Sequence, residues 1–228
     1  MRKSARFILI AFLTVFSSNL YAQFGVQVGY IYSPSNGNLA LGEPFREFSG
    51  TTRNHGFHAG LTYDFRLKGE LGMQTGLLYA YAGGNTEELN RTVANIRGIQ
   101  FTTGNYQFLE LPVRVSYSLP VTNEFKFFFF GGPLFSYALQ GKSSSRIVGL
   151  FERRFTERNV YEDFSDYLSP FELKVGGGIG VHYKNYRARL GYDQGILNIY
   201  NGERRKNNDG EDYRLRRNQF NFSVGYVF

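Results

Sequence analysis

An all-β fold, an eight-stranded antiparallel up-and-down transmembrane β-barrel behind an N-terminal signal peptide, is predicted by three features of this sequence. Apolar and small or polar residues alternate with period two in eight separate stretches, the mark of strands with two different faces. The stretches are joined alternately by short and long connections. The alternate, polar face carries ionic side chains interleaved with glycine, a composition that suits a crowded bore better than a surface in water.

The leader comes first in the chain. Arg2, Lys3 and Arg6 precede the apolar run "FILIAFLTVF" (7–16) and then "SSNLYAQ". A basic start, about ten apolar residues and a small residue at Ala22 fit a cleaved secretory signal over residues 1–22. The run is shorter than the ~20 residues a spanning helix needs. The remaining 23–228 form one domain. Loss of Arg2, Lys3 and Arg6 lowers the formal charge from +7 to +4, and the remaining charges are mixed in sign, which gives no case for nucleic acid. The chain has no cysteine, so it can hold neither a disulfide framework nor a lipidated cysteine. Aromatics at 18%, 27 glycines and no tryptophan fit a β-protein with ring-rich faces.

The strands are expected near 24–32, 55–65, 70–82, 106–118, 125–139, 170–183, 186–197 and 216–228. "RLKG", "LPVTNE" and "KN" are the short connections, and the others are long and rich in Asn, Ser, Gly and paired charges. Tight turns then gather at one end and long external loops at the other, as in outer-membrane barrels, and both chain ends fall on the tight-turn side. The outward face carries residues such as Val26, Val28, Tyr30, Leu61, Leu77, Leu111, Val115, Ile179 and Leu190. In "FKFFFFGGPLFSYAL" (125–139) both faces are aromatic, and the odd positions are placed outward. Alternation alone also fits a soluble barrel of lipocalin type with its apolar face inward. Inward glycines such as Gly60, Gly76, Gly176, Gly178, Gly180 and Gly191 favour the membrane arrangement, where they make room for long charged neighbours.

A two-residue turn at Lys184-Asn185 fixes a register in which facing residue numbers sum to 369. Arg189 then faces Gly180, Asp193 faces Gly176, Tyr192 faces Gly177, and Lys174 is diagonal to Asp193, within reach of an ion pair. Across the bore, the acids Asp64, Glu110, Glu172 and Asp193 match the bases Arg114, Lys174, Arg187 and Arg189, and are expected to form a charge network that plugs it.

Three stretches resemble a known family. "FLELPVRVSYSLPVTNEFKFFFFGGPLFSY" (108–137), "GFHAGLTYDF" with "LGMQTGLLYAYAGG" (56–84), and "FELKVGGGIGVHYKNYRARLGYDQGILNI" (171–199) are similar, in that order, to strands of PorT-like outer-membrane β-barrel proteins. The resemblance implies a small exported barrel in the outer membrane, with no enzymatic activity. The secretion role associated with a founding member does not travel with the fold. The last strand, "FNFSVGYVF", with Phe220, Phe222, Val224, Tyr226 and Phe228 on one face, resembles the signal read by barrel assembly machinery.

Chemistry is sparse. "GGGIG" (176–180) lies mid-strand without the Lys-Ser/Thr pair of a phosphate loop. His55, His58 and His182 are too scattered for a metal site. At the rim, His55 with Ser33 or Ser35 and Glu47 are the components of a Ser-His-acid set. No catalytic residue, metal or cofactor is expected. Expected partners are outer-membrane lipid, the assembly machinery and an envelope protein docked on the loops. "NGERRKNNDGEDYRLRR" (201–217) reads as a solvated loop with a capacity for acidic sugars or lipid phosphates, and 143–167 as the segment able to dock a protein. Two roles stay open: a filled barrel that displays loops, as an accessory to a secretion or surface machine or as a structural element, and a narrow pore for small solutes.

Overall fold

A computed structural model describes residues 22–39, 48–93, 96–149, 153–159, 168–200 and 214–228. The expected signal peptide lies outside the described residues except for Ala22, which is the first residue of a strand. Ten strands follow in chain order. They are β1 (Ala22–Leu39), β2 (Phe48–Lys68), β3 (Leu71–Val93), β4 (Ile96–Pro120), β5 (Phe125–Gly149), β6 (Arg153–Asn159), β7 (Phe171–Tyr183), β8 (Tyr186–Gly195), β9 (Arg214–Arg217) and β10 (Gln219–Val227).

Pairing is antiparallel throughout, in the order β1-β2-β3-β4-β5-β7-β8-β10, and β10 returns to β1 from Gly25↔Val227 to Tyr32↔Phe220. The sheet is a closed eight-stranded barrel. Closure is what hydrocarbon demands, because an unpaired backbone group there costs several kcal/mol. Among the described residues no helix is long and apolar enough to cross a membrane.

The tight turns lie at one end, and the β7–β8 hairpin has the expected register: Gly180↔Arg189, Gly176↔Asp193 and Gly177↔Tyr192. Lys184, the first turn residue, has φ 53°, in the left-handed region. The expected outward residues are exposed, with Ile179 and Leu190 both at 56%. In β5 the odd positions face outward, with Phe127, Phe129 and Tyr137 exposed and Phe128 and Leu134 buried.

Rings mark both borders of this apolar belt. Near the tight turns, Phe24 packs edge-on to Tyr63, and Tyr226 against Tyr186 and Phe228. At the far border Tyr32 stacks on Phe220, Tyr192 lies 4.5 Å from Phe220, and Phe135 stacks on Phe171. Between them the belt is largely aliphatic. From Phe171 to Tyr183 the chain rises about 40 Å along the strand at ~3.3 Å per residue. At a tilt of ~40° this is roughly 30 Å along the axis, a hydrocarbon thickness.

The long connections depart from expectation: much of their length is strand. β1 and β2 stay paired out to Leu39↔Phe48, β3 and β4 to Val93↔Ile96, and β4 and β5 to Gly98↔Gly149. The segment expected as a docking loop contributes the end of β5 and β6, and the charged last loop contributes β9. The ring opens beyond the belt. β2 and β3 part at Asn54↔Gly84, which leaves an arm of β9, β1 and β2 and a second arm of β3, β4, β5 and β6.

A cation placed on the belt tests its contact with lipid. Leu190→Arg, near the middle of β8, is expected to destabilise the barrel by about 2–4 kcal/mol in bilayers. Urea unfolding in phospholipid vesicles measures this, and an unchanged midpoint would deny that Leu190 faces hydrocarbon.

Candidate functional site

Among the described residues, ionisable groups are concentrated away from water in the bore. Period two delivers them there: β4 turns Glu110 and Arg114 inward, β7 Glu172 and Lys174, and β8 Arg187, Arg189 and Asp193. Lys174, Glu110 and Asp193 are each only 1% exposed. Eight strands leave an interior that side chains of this size fill.

The groups are arranged in tiers along the axis. Farthest from the tight turns, Lys174 Nζ lies 3.5 Å from Glu110 Oε1 and 3.5 Å from Glu172 Oε2. It donates to Gln219 Oε1 at 2.9 Å and to Ser136 Oγ at 3.2 Å. Arg217 donates to Glu172 Oε1 at 2.5 Å. Two acids and two bases balance this tier. Below it Arg114 Nη2 donates to Asp193 Oδ1 at 2.6 Å, and Asn221 Nδ2 donates to Asp193 Oδ2 at 3.1 Å. Nearest the tight turns Arg187 Nη1 donates to Asp64 Oδ1 at 3.0 Å and its Nε to His182 Nε2 at 2.8 Å. Gln74 completes that group by donating to Asp64 at 2.9 Å.

Three details differ from the expected network. Asp193 pairs with Arg114 and not with its diagonal neighbour Lys174, which turns to Glu110 and Glu172. Asp193 and Arg114 are 79 residues apart, and cross-bore proximity depends on barrel stagger rather than on a hairpin register. Arg189 donates to the amide oxygens of Gln74 and Gln27 and forms no ion pair with a carboxylate among the described residues. Arg217, where the expected last loop and last strand overlap, is a fifth base of the bore. Its odd-numbered position in phase with Gln219 and Ser223 was the available signal.

Aromatic rings are part of the filling, on the even face that the outward placing of the odd positions in 125–139 leaves inward. Phe128 and Phe130 point inward from β5. The Arg189 guanidinium lies 5.4 Å and the Arg114 guanidinium 6.0 Å from the Phe130 centroid, and Arg187 lies 5.8 Å from that of Phe128. Delocalised cations are stabilised on such faces, more so when desolvated. The glycines opposite serve these rings. A Cβ at Gly178 would sit 2.7 Å from Phe130 Cζ, and one at Gly180 would collide with Phe128 Cζ. A Cβ at Gly178 would also collide with the Leu190 carbonyl, so these glycines admit both the close neighbouring strand and the rings on which the charged groups lie.

The rim residues do not assemble a nucleophilic site. His55 is exposed and bonds the Tyr30 hydroxyl on the outer face, whereas Ser33 and Ser35 are buried on the inner face. Ser33 donates to the Asn218 carbonyl, and Ser35 bonds Asn54 and Arg217. Glu47 lies outside the described residues. His58 is buried beside Gln27, whose Nε2 lies 3.2 Å from its Nε2, and His182 is held at the tight-turn end. Among the described residues, no three metal-ligating side chains are grouped. The outward set of the last strand is exposed at Phe220, Phe222, Val224 and Phe228, while Tyr226 is half-buried between Tyr186 and Phe228.

A family model described as outer membrane protein beta-barrel domain matches residues 15–201. No curated protein matches the chain. Neisserial surface protein A is 13% identical, with a TM-score of 0.40 over 91% of this chain and 99% of its own. OprG of Pseudomonas aeruginosa is 13% identical at TM-score 0.40 over 92% and 97%. The attachment invasion locus protein Ail of Yersinia pestis is 10% identical at TM-score 0.38 over 91% and 99%.

The Arg114–Asp193 pair is open to a double-mutant cycle. Asp193→Leu alone is expected to cost about 3–5 kcal/mol, because it strands a buried guanidinium. Adding Arg114→Met is expected to recover much of that loss. Denaturant unfolding in detergent measures both steps, and a double variant no more stable than Asp193→Leu would mean that the two charges are not coupled.

Proposed function

Because the chain belongs to the outer membrane protein β-barrel domain family and resides in the outer membrane, we propose that it is a closed barrel that presents its extended arms outside the membrane for a structural or partner-binding role. The tiered ion pairs carry this reading. Glu110, Lys174, Glu172 and Arg217 come from β4, β7 and β9 and meet in the bore, with Arg114 and Asp193 beneath them. Opening a water-filled path through such tiers would require separating buried ion pairs, at about 3–5 kcal/mol for each broken one. The arms are where a partner finds surface: the edges of β2 and β3 part from the closed ring there, β6 adds an edge beyond it, and edges are natural docking strips. An envelope protein, in a secretion or surface assembly, is the partner class we propose. The order of the stretches at 56–84, 108–137 and 171–199 supports closer kinship with PorT-like barrels.

β10 closes the ring against β1, and we propose that its outward face is the handle taken by the assembly machinery. Phe228→Ala is then expected to lower the assembled amount in outer membranes severalfold without changing synthesis, as read by heat-modifiable mobility on gels. Full assembly of that variant would dismiss the handle.

A narrow pore is the competing role, favoured by an open cavity at the tight-turn mouth. Planar-bilayer recording separates the two. The closed reading expects no steady conductance from the native barrel, and a pore only when Lys174, Glu110 and Glu172 are all replaced by Ala. Steady, solute-dependent currents from the native protein would favour transport instead.

A further inference from the structure

We infer that the tight-turn mouth of the barrel is a binding site for a small soluble oxyanion, a solute bearing carboxylate or phosphate groups. A cavity of about 260 Å³ opens there. Its lining comes from β1, β2, β3, β4, β5, β7 and β8, in each case near the tight-turn end, so the cavity lies on the barrel axis. It is independent of whether the bore above it conducts.

Charge makes the case. Five bases reach this space, Arg66, Arg114, Lys126, Arg187 and Arg189, against the two acids Asp64 and Glu70. Arg114 is neutralised by Asp193 and Arg187 by Asp64. Arg66 and Glu70 are exposed at the lip and offset one another in sign. Two cations remain. Arg189 is buried, and its guanidinium donates only to the neutral Gln74 and Gln27 amides. Lys126 is half-buried nearer the mouth and forms no ion pair among the described residues.

A buried guanidinium whose hydrogen bonds are met but whose charge is not bears a desolvation penalty that an entering anion relieves. The attraction is stronger here than at an open surface because the walls are protein. Phe128 and Phe130 supply an apolar floor under the arginines, suited to the carbon stem of an organic acid. The volume falls just below the ~300–1,000 Å³ of pockets for drug-sized ligands, so the ligand is small. An anionic lipid headgroup offers the same chemistry, but headgroups surround the rim whereas this cavity faces the axis.

Calorimetric titration of the refolded full barrel in uncharged detergent tests the site, with citrate and inorganic phosphate as probes and sucrose as the neutral control. Saturable binding of at least one anion is expected, with none of sucrose. Lys126→Gln, at the mouth and outside the ion-pair tiers, is expected to weaken it about tenfold. Arg189→Gln should abolish it and Arg189→Lys should retain part of it. Absence of saturation with both anions, or equal affinity in Lys126→Gln and the native barrel, would overturn the site. The lipid source is tested in nanodiscs of phosphatidylcholine with and without phosphatidylglycerol. Equal citrate affinity in both supports a soluble ligand, and loss of citrate binding with phosphatidylglycerol would overturn it in favour of a headgroup.

Discussion

The hydrogen-bonded seam between β1 and β10 is the constraint from which the rest of this molecule follows. Eight facing pairs, Gly25↔Val227 through Tyr32↔Phe220, turn an open sheet into a ring. Hydrocarbon offers no partner for a stray N–H or C=O, so the seam is obligatory wherever the outer face is apolar. A ring of eight strands then sets the bore at about the width of the side chains that point into it. An inward residue must therefore be small, pack as an apolar side chain among its neighbours, or have its polar atoms hydrogen-bonded across the axis.

This crowding explains a combination that would be costly in most protein interiors. Burying isolated charges is unfavourable by several kcal/mol for each ion even after relaxation. Here most acids and bases converge from different strands and meet their opposites: Arg114 with Asp193, Arg187 with Asp64 and Arg217 with Glu172. Lys174 joins Glu172 of its own strand to Glu110, and Arg189 is held instead by the amide oxygens of Gln74 and Gln27. Neutral amides and hydroxyls such as Gln219 and Ser136 complete the shells. The phenyl rings of Phe128 and Phe130 fill what remains, against glycines that leave space for them. Packing and electrostatics are thus solved by the same side chains.

How much of this can be read from sequence depends on which medium touches each face. Within the belt one face meets lipid and the other the bore, so period two is strong and strand identity and facing could be read for Ile179, Leu190 and Lys174 alike. The two-residue turn at Lys184-Asn185 made the β7–β8 register legible as well. Beyond the belt the apolar alternation fades from the sequence, and the strand lengths before His55, past Ala82 and past Leu139 read as loop. Phe128 and Phe130 were ambiguous in role because their strand carries rings on both faces. The partner of Asp193 was illegible for another reason: proximity across the bore depends on the stagger of strands far apart in sequence, and no local pattern encodes it.

The same constraint explains why the ring ends where it does. β2 and β3 part at Asn54↔Gly84, while β1–β2 and β3–β4 continue as separate hairpins. At this point the outer border of rings has been passed, and water can satisfy the freed edges at little cost. Asn54 sits at the fork, buried, and donates to the Ser33 carbonyl and the Ser35 hydroxyl within its own arm. On the other side β5 leaves β7 after Tyr137↔Phe171 and takes β6 as its neighbour. Lipid enforces a closed cylinder only through its own thickness. Outside it the strands divide into two arms, and among the described residues the ring's continuous pairing gives way there to separate hairpins.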